Sequence, residues 1–182
     1  MRSKPLFISL AIFSIYSTGL LVVAFFRIKP LTVMGWFISG LLVFSIVEYL
    51  VHRYFFHLIP HNERSEKLQY AIHGNHHHHP DIETNVMIRP SYALALTGII
   101  TGIFYVPFRE NITGFVPGFI TGYSFYLFIH YAYHAYRPPR NFLRVLWKHH
   151  YLHHYHDDTK NYGVSSPLWD IVFNTRITIK QK

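Results

Sequence analysis

Between Leu6 and Phe26 the chain runs for 21 residues without a charged side chain. As a helix this stretch is roughly 31 Å long, the thickness of a bilayer's hydrocarbon core. Apolar runs recur at 31–51, where Glu48 is the one charged residue, and at 91–108 and 115–131. Only 14% of the residues are charged and 50% are hydrophobic, against about 25% charged in a typical soluble domain. The first run is flanked by Arg2 and Lys4 like a signal peptide. It is longer than the roughly 7–15 apolar residues of a signal core, and no small-residue cleavage site follows. It is read as a retained span. Pro30 ends the basic turn after it. These four runs predict an all-α integral membrane four-helix bundle, built as two transmembrane hairpins within a single domain covering residues 1–182. Gly98, Gly102, Gly118 and Gly122 fall in the later spans, where small residues allow close helix approach.

Four spans put residues 1–5, 52–90 and 132–182 on one side of the membrane. Of the 17 Lys and Arg residues only Arg27, Lys29 and Arg109 lie on the other side, leaving 14 on the first. That asymmetry predicts a cytoplasmic location for the larger side and for both termini. The net charge of +8 borders apolar segments, so anionic lipid head groups are the expected partner and nucleic acid is not. There is no cysteine, which excludes disulfides and thiolate metal sites.

All fifteen histidines lie on the cytoplasmic side, and ten of them form four clusters. His52 and His57 end the second span, and His73, His76 and His77 follow in the loop. His130 and His134 end the fourth span, and His150, His153 and His154 follow in the tail. Residues three and four apart share a helix face, so each HxxHH triplet is expected to aim three imidazoles at one point. The spacing of five between His52 and His57 does not suit an α-helix and predicts a helix end or a local distortion. The clusters also repeat. Adding 77 to the numbers of His57, His73, His76 and His77 gives His134, His150, His153 and His154, while His52 maps onto His130 with one residue extra. Asp81 maps onto Asp158. Two such halves suggest a pseudo-two-fold axis along the membrane normal, with five histidines from each surrounding two metal ions. The cap is therefore expected to be cytosolic, helical and to carry a histidine-rich dimetal site. Imidazole suits Zn, Cu, Fe and Ni alike. Fe can activate O2, whereas Zn offers Lewis acidity and an activated water. A site at the membrane boundary is placed to receive a lipid tail.

An all-imidazole shell carries no negative charge, so carboxylates nearby are expected to orient it. Glu48, four residues before His52, is the first candidate; Asp157, Asp158 and Asp170 follow. Tyr123, Phe125, Tyr126, Phe128 and Tyr133 are candidates for lining an acyl tunnel, with interfacial anchoring as the alternative. Trp147 and Trp169 are open to both readings. His61, His78, His79, His149 and His156 fall outside the repeat and are expected to be passengers rather than ligands.

The segments Glu48–His57, His73–His77 and His150–Tyr155, with Tyr162-Gly-Val-Ser-Ser-Pro-Leu-Trp-Asp170, resemble the fatty acid hydroxylase superfamily over roughly residues 45–175, and fatty acid 2-hydroxylases within it. The resemblance implies a dimetal centre on the ten histidines of the four clusters, with two iron ions as the working metals and zinc possible in purified protein. It implies O2 as oxidant and hydroxylation at C2 of a fatty acyl or sphingolipid N-acyl chain. No cytochrome b5 domain is fused, so a separate electron carrier of cytochrome b5 or ferredoxin type is expected. The membrane would be a bacterial inner membrane or the endoplasmic reticulum. Asp81 directly follows Pro80 where relatives often have a residue between them, and His78 and His79 stand where the motif asks for no histidine. Desaturases and sterol or carotenoid hydroxylases share the histidine pattern and remain alternatives. A histidine-rich metal transporter is a remoter one, since it would place polar residues along the spans.

Overall fold

A computed structural model describes residues 3–80 and 88–178; Asp81 lies outside them. Among the described residues the chain is helical and contains no strand. The helices are α1 (Lys4–Arg27), α2 (Pro30–Val51), α3 (Glu63–Gln69), α4 (Asn75–His78), α5 (Pro90–Phe108), α6 (Ile112–Ala135), α7 (Arg144–Tyr155) and α8 (Leu168–Val172). A π-helical turn, His52–Phe56, extends α2, and another, Tyr70–Gly74, joins α3 to α4. The chain divides into two compact units, Met1–Ser45 with Met87–Phe128, and Ile46–Val86 with Ile129–Lys182.

Among the described residues three helical runs are long and apolar enough to cross a membrane: Lys4–Arg27, Pro30–Phe56 and Pro90–Ala135. The third has 46 residues but is a hairpin. The rings of Phe104 and Phe119 are 5.3 Å apart, whereas fifteen residues of straight helix would separate them by about 22 Å. The reversal occurs at Arg109, whose φ of 50° is uncommon for a residue with a side chain. Phe108 and Phe115 close the turn with ring centroids 4.4 Å apart. Large apolar side chains such as Ile15, Phe26, Leu31 and Val106 point outward and are exposed, as suits helices surrounded by lipid.

In the first unit, α1 meets α5 through the hydroxyls of Tyr16 and Thr101. The α2–α6 contact is closer. A Cβ on Gly118 would stand 2.0 Å from the Phe37 carbonyl oxygen, and one on Gly40 would stand 2.1 Å from that of Phe115. Gly122 packs against the Phe44 ring. Close approach thus holds for Gly118 and Gly122 but not for Gly98 and Gly102, which have nothing within 4 Å of a Cβ position. Apolar sequence alone does not tell a glycine facing a helix from one facing lipid.

In the second unit, α3 opens with a reciprocal cap: Asn62 Oδ1 accepts from the Ser65 amide, and Ser65 Oγ accepts from that of Asn62. Such a cap fixes the start of a short helix, and α3 leads directly into the π turn that carries His73.

Candidate metal centre

The distortion expected at His52 is the π turn itself. The His57 amide donates to the His52 carbonyl at 3.1 Å, an i to i+5 bond. Five residues of α-helix would leave these side chains about 140° apart; one residue more per turn returns them to a common face. His130 and His134 reach the same result with ordinary α spacing inside α6. The extra residue of the first half is the residue absorbed by its π turn.

The ten histidines of the four clusters gather into two groups. His52, His57, His73, His77 and His153 form one, and His76, His130, His134, His150 and His154 the other; within each, one nitrogen per residue lies within 4.8 Å of the others. The expectation that each HxxHH triplet aims its three imidazoles at one point is therefore corrected. Each group takes four from its own half and the middle histidine of the other triplet. The cause is helical: His73 and His77 share a face, while His76 is turned about 100° from His77. His76 and His153 exchange places as the repeat requires, and His77 stacks on its equivalent His154 at 4.2 Å.

The nitrogens that converge are Nε2. His73 Nε2 is 3.1 Å from that of His52 and 3.0 Å from that of His77, and His57 Nε2 is 3.1 Å from that of His153. In the other group the His76–His130 and His134–His150 separations are both 3.0 Å. Nitrogens this close could bind a common ion at metal–nitrogen distances of about 2.1 Å. Burial, helped by the imidazoles alongside, pushes His57, His77 and His153 down to about 3 and His76 to about 2. His73, His150 and His154 move the same way for the same reason. The rings are thus neutral at pH 7, the form in which imidazole binds metal. Both ring nitrogens of half-buried His154 are shielded from solvent, and neither has a hydrogen-bond partner among the described residues.

Two tautomers follow from the acceptors. His52 Nδ1 faces the Tyr162 carbonyl and His153 Nδ1 faces that of Lys160 at 2.7 Å. A carbonyl only accepts, so each Nδ1 carries the proton and each Nε2 presents a lone pair to its group.

The Tyr162–Ser165 segment is held by two carboxylates. Asp170 accepts from the amides of Tyr162 at 2.9 Å and Gly163 at 2.7 Å, and Glu48 Oε1 accepts from Val164 and Ser165, both at 2.8 Å. A side chain at 163 would not fit, because its Cβ would stand 2.1 Å from the Ser166 carbonyl oxygen. Glu48 and Asp170 therefore act on the ten clustered histidines through the backbone that carries the Tyr162 carbonyl, not by direct contact. Burial alone would raise the Asp170 carboxyl, but bonds from His149, Thr175 and Gly163 hold it below the ordinary range.

Asp158 does not join this network. It is exposed and bonds to no histidine. Asp157 is occupied with the Thr159 amide and the Lys160 ammonium. His149 lies outside both groups, but it is buried and its Nε2 donates to Asp170 at 3.0 Å. Reading it as a passenger missed this tie, for which the sequence offered no spacing signal. The carbonyls of Lys160 and Tyr162 were equally invisible, since a backbone acceptor has no residue signature. His61, His78, His79 and His156 are exposed and belong to neither group.

A cavity of about 480 Å³ opens beside the second group, reaching His134, His150 and His154 and walled by Tyr133 and Trp147. Of the candidate tunnel residues, Tyr133 lines this cavity and donates to the Val164 carbonyl at 2.8 Å. Tyr123 and Tyr126 stack on each other in the first unit, and Phe125 and Phe128 are exposed. Trp147 donates to the Tyr136 carbonyl, whereas Trp169 packs on Phe173.

The model of the fatty acid hydroxylase family matches residues 37–175. The fatty acid 2-hydroxylase of Rattus norvegicus is 32% identical over 152 residues, 79% of this chain and 40% of that protein. A dihydroceramide fatty acyl 2-hydroxylase of Arabidopsis thaliana is 32% identical over 159 residues, covering 85% and 63% respectively. A ceramide very long chain fatty acid hydroxylase of Schizosaccharomyces pombe is 35% identical over 148 residues, covering 76% and 41%. The chain thus spans between 40% and 63% of the length of these relatives. A solved structure described as full-length scs7p, with only its hydroxylase domain visible, superposes with a TM-score of 0.84 at 25% identity, over 100% of this chain and 72% of the other.

Proposed function

Because the chain belongs to the fatty acid hydroxylase family, we propose that it is a membrane-bound lipid hydroxylase acting at C2 of a fatty acyl or sphingolipid N-acyl chain. The observation that carries the reading is the pair of five-imidazole groups, in each of which one ring nitrogen per residue lies within 4.8 Å of the others. Two iron ions are the metals we assign to the ten histidines. His52, His57, His73, His77 and His153 would hold one ion and His76, His130, His134, His150 and His154 the other, and imidazole is a donor that suits iron. When bound, the iron pair supplies activation of O2 and cleavage of the C–H bond.

The overall reaction takes R–H, O2, two electrons and two protons to R–OH and water. The electrons come from a separate carrier, of cytochrome b5 or ferredoxin type. The protein's own part is to hold ten neutral imidazoles with their lone pairs inward. It fixes His52 and His153 by carbonyls and admits the substrate beside His134, His150 and His154. Both termini and the histidine side face the cytoplasm, of a bacterial inner membrane or of the endoplasmic reticulum.

Mass spectrometry of lipids from an expressing host grown under ¹⁸O₂ tests the activity. The expected product is a 2-hydroxyacyl lipid carrying one labelled oxygen, absent when His130→Ala replaces the wild type. A new double bond, or a label from water, would overturn the reading.

A further inference from the structure

The cavity beside the second histidine group is not electrically neutral at its edge. Arg144 and Lys148 line it from one face of α7, a helical turn apart, and both are exposed. Like charges at i and i+4 repel, so the pair needs a reason to persist. Among the described residues neither forms an ion pair and no carboxylate lines the cavity. Solvated surface lysines and arginines usually stand beside other charges. These two share the cavity lining with Tyr133, Trp147 and buried His150.

We propose that Arg144 and Lys148 form an anion-binding subsite at the mouth of this cavity, taking the carboxylate or phosphate head of a single-chain acyl lipid. The proposal rests on the hydroxylase reading only for what then happens to the chain. Arginine and lysine both recognise such oxyanions. Lys148 and His150 line the same cavity, so an anion held by the cations leaves its acyl chain in the space that reaches the histidines. A cavity of about 480 Å³ falls within the roughly 300–1,000 Å³ of small-molecule sites. The subsite belongs to one half only. Subtracting 77 from 144 and 148 gives Lys67 and Ala71, so the first half lacks the second cation.

Equilibrium binding to the metal-loaded full chain in detergent tests this, with radiolabelled palmitate, 1-palmitoyl lysophosphatidate and methyl palmitate as probes. At least one of the two anions should bind about 10-fold or more tightly than the neutral ester, as charge-assisted hydrogen bonds predict, and the advantage should shrink with added salt. The better anion identifies the head group. The double variant R144Q/K148Q should bind the anion no better than the ester while keeping its full metal content, and Lys148→Arg should retain the preference. Equal binding of ester and anions by the wild type, or an unchanged preference in R144Q/K148Q, would overturn the subsite. The two readings fail separately. Charge-dependent binding without any hydroxylated lipid leaves the subsite standing and removes the hydroxylase. Hydroxylation whose KM is indifferent to R144Q/K148Q does the reverse.

Discussion

The two histidine halves reach the same arrangement by different local structures. In the second, His130 and His134 sit at α spacing inside α6, and His150, His153 and His154 sit inside the regular helix α7. In the first, His52 and His57 need a π turn, and the triplet starts in a second π turn before passing into α4. The comparison teaches that what is preserved is the direction of ten ring nitrogens. Helical periodicity is adjusted to deliver it. Support differs too: a carbonyl of Lys160 or Tyr162 holds His153 and His52, both of the first group, while the cavity reaches only the second.

The largest test of the comparison is the exchange of His76 and His153. If each group borrows one histidine from the other half, His153→Ala should cost the metal held with His52 and His57, although it lies on α7. His76→Ala should cost the metal held with His130 and His134. Elemental analysis of purified protein should give about one equivalent lost in each case, and hydroxylation should become undetectable. Loss of the metal belonging to the mutated residue's own half would break the pairing. Spectroscopy of a cobalt-substituted protein distinguishes the two groups.

A smaller and one-sided effect is expected from the carboxylate clamp. Glu48→Gln and Asp170→Asn weaken the hold on four successive amides, and so the position of the Tyr162 carbonyl opposite His52. Loss of an orienting partner costs about 10–100-fold in metal affinity. The loss should fall on the first group and spare the second. Competition with a chelator measures both constants, and equal weakening would mean that the clamp supports the fold rather than one site.

The sign of the pH dependence follows from the depressed histidines. In the metal-free protein His57, His77 and His153 titrate near 3 and His76 near 2, whereas an unfolded histidine titrates near 6.5. The unfolded state therefore binds more protons between these values. Stability is full above about pH 6.5 and declines as pH falls toward 3. The thermal midpoint of chelator-treated protein should drop through that window and be flat above it. Alanine at exposed His61 or His156 should leave the curve unchanged.

The four apolar runs, the 77-residue repeat and the ten clustered histidines were legible because periodicity and residue type carry them directly. The local distortion at His52 was legible too, since a spacing of five conflicts with 3.6 residues per turn. The exchange of His76 and His153 was not read, because sharing a face was taken to include i+3 along with i+4, and only the latter holds within each group. Glu48 was found by its distance from His52, yet its partners are the amides of residues 164 and 165, over a hundred positions away. No local pattern encodes such a contact. Asp158 was advanced as a carboxylate near the last triplet, which its exposed position does not support.

The smallest expected effect is also the sharpest test of equivalence between the halves. Phe55 lies within the π turn and is 51% exposed, so its side chain contributes little packing. Deleting it would bring His52 and His57 to a separation of four, the spacing of His130 and His134. A π turn is an α-helix carrying one inserted residue, and removing that residue should let α2 continue as ordinary helix with both imidazoles on one face. The deletion variant is therefore expected to keep two metals per chain, with a change in thermal midpoint of only a few degrees, or about 1 kcal/mol in a protein of this size. Elemental analysis and a melting curve suffice. Should the first group lose its metal while the second keeps its own, the π turn is doing more than restoring register: the path of the chain from His57 to His73 depends on that extra residue, and the two halves are equivalent in their nitrogens alone.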